Sequence, residues 1–222
     1  MRRVLTIILL ITLAGSVSAQ YTTKKLSHRN SFDFALRGGI SFCQIDGDRS
    51  GNFNKVGYDL GVNTSFPVNH SGLRFLIEIG LFNKGSYVDA NYRQISLHYI
   101  QVPLMFIYDF KIEDVGKFRV GAGFAPAFLG YASVLDNEEH VEAMENNFRS
   151  FDRLPLFLNF EYRINKQCSF QVRYSNSMLP ITYEAPNGTY RITRSNKGAF
   201  NRCLSAGISL NFLHKNVLVR NI

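Results

Sequence analysis

Large apolar residues recur at every second position through eight separate runs of the chain. In the first, Phe34, Leu36, Ile40 and Phe42 alternate with Asp33, Ala35, Arg37, Gly39 and Ser41. The same period continues through Val56–Phe66, Leu73–Phe82, Tyr99–Tyr108, Phe118–Phe128, Leu154–Arg163, Phe170–Ser175 and Cys203–Phe212. Successive side chains of an extended chain point to opposite faces, so each run predicts a strand with one bulky apolar face. The opposite face is small, glycine-rich or charged, as in Gly57, Asp59 and Gly61 or Arg119, Gly121 and Gly123. A soluble sandwich or lipocalin-like barrel buries its bulky face and leaves the other in water, where glycine is not favoured. A membrane barrel turns the bulky face to lipid and encloses the polar one. Eight strands leave a lumen just wide enough for side chains, and there glycine and alanine make room for arginine and glutamate. The expected fold is all-β: an eight-stranded antiparallel transmembrane up-and-down β-barrel.

The connections agree with this reading. Gln44–Asn54, Lys84–Gln94, Ala132–Asp152 and Ile181–Asn201 are long, and they alternate with the shorter Pro67–Gly72, Lys111–Lys117 and Asn165–Gln167. Outer-membrane barrels have short periplasmic turns and longer external loops, so both termini are expected in the periplasm. The chain opens with Met1-Arg2-Arg3, an apolar run from Val4 to Ala14, and small residues at Val17 and Ala19. That is the pattern of a secretory signal peptide, and the run is too short for a spanning helix. The expected division is a signal peptide at 1–19 and a barrel domain at 20–222, with the last strand ending near Phe212 and a short periplasmic tail at 213–222. The expected location is the outer membrane.

Composition adds abundant Phe (19) and Tyr (11), no Trp, and a net charge of +8 that falls to +6 without Arg2 and Arg3. The basic residues are scattered along the strands instead of clustered on one face, which argues against a nucleic-acid partner. Outer-membrane lipid and lipopolysaccharide are the expected surroundings, with envelope or secretion proteins as conceivable partners. On the lumen-facing parity, Asp33, Asp59, Glu78 and Glu161 share the interior with Arg37, Arg74, Arg119, Arg163 and Arg173. Isolated buried charges are costly, so an interleaved charge network is expected among them. Cys43 ends the first strand and Cys203 begins the last, both at the outer side and on lumen parity. Barrel closure makes those strands neighbours, so a disulfide across the seam is possible in an exported protein, with two free thiols as the alternative. Cys168 lies at the opposite end.

Tyr99-Ile100-Gln101-Val102-Pro103-Leu104 resembles the aromatic-aliphatic-Glu/Gln-aliphatic-Pro-Leu strand of the PorT-like outer-membrane β-barrel family of Bacteroidetes. Glu78-Ile79-Gly80-Leu81-Phe82-Asn83-Lys84-Gly85 is similar to that family's preceding strand, and Gly57-Tyr58, Gly61 and Gly121-Ala122-Gly123 before Pro126 fit as well. The resemblance implies a porin-like barrel in the outer membrane. It implies little about activity, although the founding member is associated with protein secretion and gliding machinery. Members commonly end on an aromatic residue of the last strand, whereas here ten residues follow Phe212.

Candidate chemistry is sparse. Only His140, near Asp136 and Ser133 in the third long loop, is a conceivable rim catalyst, and no local pattern supports it. Asp46, Asp48 and Ser50 resemble the start of a calcium loop, but Gly57 stands where the bidentate glutamate belongs. Acidic residues of the third loop (Asp136, Glu138, Glu139, Glu142, Glu145) could meet basic ones near the fourth (Arg191, Arg194, Lys197, Arg202), though surface pairs stabilise little. No catalytic residue, cofactor or metal is expected. The function expected is a non-enzymatic structural or partner-binding role through the outer loops. An accessory role in a secretion or gliding complex is the alternative, and a barrel-rim enzyme or narrow pore is disfavoured.

Overall fold

The computed structural model describes residues 31–46, 53–68, 72–88, 93–136, 139–140, 146–152, 154–183 and 198–216. Twelve strands lie among these residues. They are β1 (Ser31–Asp46), β2 (Lys55–Pro67), β3 (Leu73–Val88), β4 (Arg93–Gln101), β5 (Leu104–Ile112) and β6 (Gly116–Phe124), followed by β7 (Ala127–Asp136), β8 (Glu139–His140), β9 (Phe151–Asp152), β10 (Pro155–Arg163), β11 (Cys168–Ser177) and β12 (Phe200–Asn216). Every pairing is antiparallel, β2 pairs with β3, and β12 returns to β1, so the sheet is closed.

The twelve strands make eight staves, because three staves are interrupted. β4 and β5 are the two halves of one stave, β6 and β7 of the next, and β9 and β10 of a third. β3 pairs with β4 through Gly80–Val88 and with β5 through Leu73–Ile77. The fourth and fifth runs of the sequence pattern, expected as unbroken strands, are therefore each divided, and proline is the physical reason. Pro103, Pro126 and Pro155 lack the N–H that a ladder needs. They lie at adjacent breaks, where Glu78 N–H donates to Pro103 O (2.9 Å), Val102 N–H to Pro126 O (2.9 Å) and Ala125 N–H to Pro155 O (3.0 Å). The carbonyls thus carry the ladder across a crease that separates the two halves of these staves.

The last stave runs to Asn216, beyond the expected end near Phe212, because β1 begins at Ser31 and pairs with it there. A bulge at Phe34/Ala35 lets the pairing continue. The start of β1 and the end of β12 lie at the same end of the barrel as the connections 113–115 and 164–167. That end is called the turn end here, and the opposite end the loop end.

The outer wall exposes Ile40, Val56, Ile79, Phe106, Phe128 and Ile208, each at least half accessible. These are the outward residues of adjacent staves, a continuous apolar surface much larger than a water-soluble monomer presents. Aromatic contacts mark its edges. Tyr58 and Tyr131 flank His98 at ring distances of 5.9 and 5.7 Å, and Tyr58 Oη lies 2.9 Å from His98 Nδ1. Near the turn end, Tyr108, Phe110, Phe118 and Tyr162 form a second chain of rings. Amphipathic aromatic groups settle at membrane–water interfaces, and here tyrosine and histidine supply the girdles in the absence of tryptophan. His98 and Tyr108 lie on one stave ten residues apart. At ~3.3 Å per residue and a ~40° tilt they span ~25 Å, the height of an outer-membrane apolar band.

Candidate functional site

The interior is the part of the molecule with organised chemistry, and register places it there. Arg37 of β1 stands opposite Gly61 of β2, and Gly61 opposite Gly80 of β3. The glycines open a space that Glu78 fills: a Cβ on Gly61 would lie 2.6 Å from Glu78 Oε1. Glu78 is fully buried and accepts from two arginines. Arg37 Nη2 donates to its Oε1 at 2.7 Å, while Arg173 donates to Oε1 at 2.9 Å and Oε2 at 2.8 Å. Arg37 also pairs with Asp59, and Asp59 accepts a bond from Ser205 Oγ at 2.7 Å. Arg173 Nε is held by Asn159 Oδ1 at 3.0 Å. Two arginines and two carboxylates thus tie together β1, β2, β3, β10, β11 and β12 across the lumen.

A second cluster lies nearer the turn end. Arg119 of β6 stands opposite Asp109 on one side and Glu161 on the other. It contacts them at 2.7 and 3.5 Å and reaches Asp33 at 3.3 Å. Arg74 and Arg163 share the same Asp33 oxygen at 3.2 and 3.5 Å. All nine lumen residues singled out by parity are in these two clusters. Asp109 belongs with them: it lies one step beyond Tyr108, where the apolar alternation of its stave stops, so the pattern does not mark it.

The lumen is not uniformly polar, which corrects the expectation of a small or charged inner face. Leu76, Phe82, Tyr99, Met105, Ile107 and Phe157 are inward and buried. Their strands are crowded with inward glycine opposite them, so there is room for bulk: Gly123 lies between Met105 and Phe157 in register. Lys84 is buried among them, with its ammonium 5.3 Å from the Tyr99 ring centroid and 5.8 Å from that of Phe82. Asp152, also buried, accepts from Ser177. Nothing in the two-residue pattern marked Lys84 or Asp152, since both lie outside the eight runs.

At the loop end this apolar filling continues upward through Ile45, Ile95, Leu97 and Val134 to Phe148, Ile181 and Ala199. The last three come from the long connections. Phe148 and Thr182 form a bridge, Arg149 N–H donates to Ile181 O at 2.7 Å, and Tyr183 N–H to Asn147 O at 2.9 Å. Ile181 N–H donates to Ala199 O at 2.9 Å. The third and fourth connections are thereby stitched to each other over the mouth, with their apolar side chains turned down into it. Below this cap, Cys43 and Cys203 are register partners on β1 and β12 and are joined in a disulfide with Cα atoms 4.1 Å apart. Cys168 is a free thiol at the turn end.

This is a filled barrel with a lipid-facing wall. The outer membrane protein beta-barrel domain family matches residues 18–182. The chain belongs to that family. As an outer-membrane barrel it is also similar in fold to solved structures. Neisserial surface protein A is 16% identical, with 81% of this chain and 97% of that one covered and a TM-score of 0.44. Ail, the attachment invasion locus protein of Yersinia pestis, is 8% identical over 83% and 99% (TM-score 0.43). The N-terminal β-barrel domain of Pseudomonas aeruginosa OprF is 13% identical over 83% and 98% (TM-score 0.39). Comparison with curated protein sequences finds no match. The family places the protein in the outer membrane.

The remaining candidates are not assembled into a site. Asp46 is engaged by Arg202 at 2.8 Å and by Gln44 Nε2 at 2.9 Å. Asp48 and Ser50 lie outside the described residues. Among the described residues no group of three His, Cys, Asp or Glu side chains is placed to hold a metal ion. Of Ser133, Asp136 and His140, only the Ser133 side chain is described. Glu138, Glu142, Glu145, Arg191, Arg194 and Lys197 are likewise outside the described residues.

Proposed function

We propose that this outer-membrane barrel is a non-enzymatic, non-conducting scaffold that presents its outer connections to a partner in or beyond the envelope. The observation carrying this reading is the doubly filled lumen, with charge clusters in one half and an apolar plug under stitched connections in the other. A channel needs a continuous aqueous path, and eight staves packed with arginine, phenylalanine and tyrosine leave none. The purified protein in planar bilayers is expected to give no steady channels, and large, long-lived conductance steps would overturn the scaffold reading. Lipid and lipopolysaccharide contact the apolar wall in this reading.

Residues 1–19 act as a cleaved export signal, the turn end faces the periplasm, and the loop end faces outward. The cationic start, short apolar run and small residues before Gln20 support cleavage there. N-terminal sequencing of protein taken from outer membranes is expected to begin at Gln20; a retained Met1 would refute it. A second reading, an accessory component of a secretion or gliding complex, is favoured by the PorT-like Tyr99–Leu104 segment. Its test is co-purification of the tagged barrel with secretion proteins from outer membranes.

A further inference from the structure

Toward the loop end the wall is not closed in the same way all round. β12 and β1 are paired up to Asp46/Phe200, and the Cys43–Cys203 disulfide joins them below that point. β1 and β2 are paired up to Cys43/Lys55, and β3 and β4 up to Val88/Arg93. Between β2 and β3 the register stops at Asp59/Phe82. Residues 55–58 and 83–88 all lie in described strands. They rise past that last pair bonded to β1 and to β4 respectively, but without register partners on each other.

The two edges overlap instead of standing apart. Ile79 and Leu81 are outward residues of β3, 62% and 50% exposed; Asn83 is next in that series, yet it is only 5% exposed. It is covered because β3 passes on the lumen side of β2 here. Gly57 of β2 has lumen parity, and a Cβ on it would lie 2.8 Å from Ser41 Oγ and 3.0 Å from Asn83 Oδ1. Ser41 of β1 reaches beneath β2 and donates to Asn83 O at 3.2 Å. Glycine permits so close an approach of two backbones, and any larger residue at 57 would wedge the edges apart.

Side chains, most of them meeting at Asn83, close the overlap in place of a ladder. Lys55 Nζ donates to Asn83 Oδ1 at 3.3 Å and to Val56 O at 3.1 Å. Asn83 Nδ2 lies 3.2 Å from His98 Nε2, and His98 Nδ1 lies 2.9 Å from Tyr58 Oη. Asn54 Nδ2 donates to Tyr87 O. Segments held by few ladder bonds open locally at lower cost than the paired strands beside them. We infer that this lapped joint is a lateral gate: the upper part of β3 parts from β2 above Asp59/Phe82, with Asn83 as the latch. The disulfide keeps the neighbouring β12–β1 seam shut at the same height, since Cys43 is register partner to both Lys55 and Cys203. Tyr58 and His98 belong to the aromatic edge of the apolar wall, so the gate opens at that membrane edge and not through the cap. Phe82 and Lys84 lie directly behind it. Opening therefore leads from the bilayer interface to the apolar plug and leaves the charge clusters below closed.

The test is hydrogen–deuterium exchange of the full barrel in an uncharged detergent, with residues 43–46 and 200–203 as the internal reference. Residues 83–88 are expected to exchange on the order of tenfold faster than the reference, although both lie in strands. A bridge across the joint separates opening from an edge that is merely unpaired. Tyr58→Cys with His98→Cys, in a Cys168→Ser background, is compared before and after joining by a bis-maleimide. Bridging is expected to slow residues 83–88 to near the reference rate. Asn83→Ala and Gly57→Ala are each expected to speed them by a further factor on the order of ten without moving the reference. Equal exchange before and after bridging would overturn the gate, because the edge would then be unpaired but fixed. Wild-type exchange of residues 83–88 as slow as the reference would overturn it too. Faster exchange in both single variants that the reference shares would show general loosening and remove Asn83 as the latch. The bridging comparison is made within one folded variant, so it stands whether or not Asn83→Ala and Gly57→Ala fold.

Discussion

Glu78→Gln is expected to destabilise the barrel by about 3–5 kcal/mol, the cost of breaking a buried charge cluster by removing one partner. Glu78 is the only described carboxylate that binds both Arg37 and Arg173, with two contacts to each. Its neutralisation leaves Arg173 with Asn159 alone and forces Arg37 to rely on Asp59. For a chain of this size that loss lowers the midpoint of the gel-shift melting curve by roughly 10 °C. Gly61→Ala is expected to act in the same direction, because its methyl group would occupy the place of Glu78 Oε1 while leaving every charge present. A double-mutant cycle between Glu78→Gln and Arg173→Gln isolates the pair itself, and neighbours in one network are expected to be non-additive. Additive effects within experimental error would mean that water solvates these charges separately.

The contrast between the two halves of the lumen explains how much of this was legible in the sequence. Period-two alternation fixes a side chain's face without reference to anything distant, so Asp33, Arg37, Asp59, Arg74, Glu78, Arg119, Glu161, Arg163 and Arg173 could be assigned to the interior from parity alone. Which arginine meets which carboxylate depends on register and shear, and alternation is silent about both. The proline crease was written in Pro103, Pro126 and Pro155, but the bulky pattern continues through the first two, and it masked the missing N–H groups. The apolar plug was the least visible part. Phe148 and Ile181 belong to connections without period, and their burial comes from bonds between two connections far apart in sequence. Lys84 and Asp152 fell in the same blind region, beyond the ends of the recognised runs.

Mass spectrometry of the alkylated, unreduced protein is expected to label Cys168 alone. Cys43 and Cys203 are directly opposed on β1 and β12, the strands that close the ring, and both are buried beneath the loop-end cap. The bond encloses a sequence separation of 160 residues, nearly the whole barrel. Cross-linking so long a segment restricts the unfolded chain strongly, with about 4–5 kcal/mol as the chain-entropy expectation. The bond acts on the same seam that the β1–β12 ladder, sixteen register pairs from Ser31/Asn216 to Asp46/Phe200, already holds, so its loss is not expected to open the folded barrel. Cys43→Ser with Cys203→Ser should therefore preserve the heat-modifiable shift at room temperature, lower the melting midpoint by roughly 10 °C, and abolish the difference between reduced and unreduced samples. The single variant Cys43→Ser should melt with the double one, since either change removes the cross-link, and the free thiol it leaves at Cys203 should stay unlabelled until the cap is unfolded. Alkylation of all three cysteines in the native, unreduced protein would exclude the bond, and equal melting of reduced and unreduced wild-type protein would show that it contributes nothing to holding the seam.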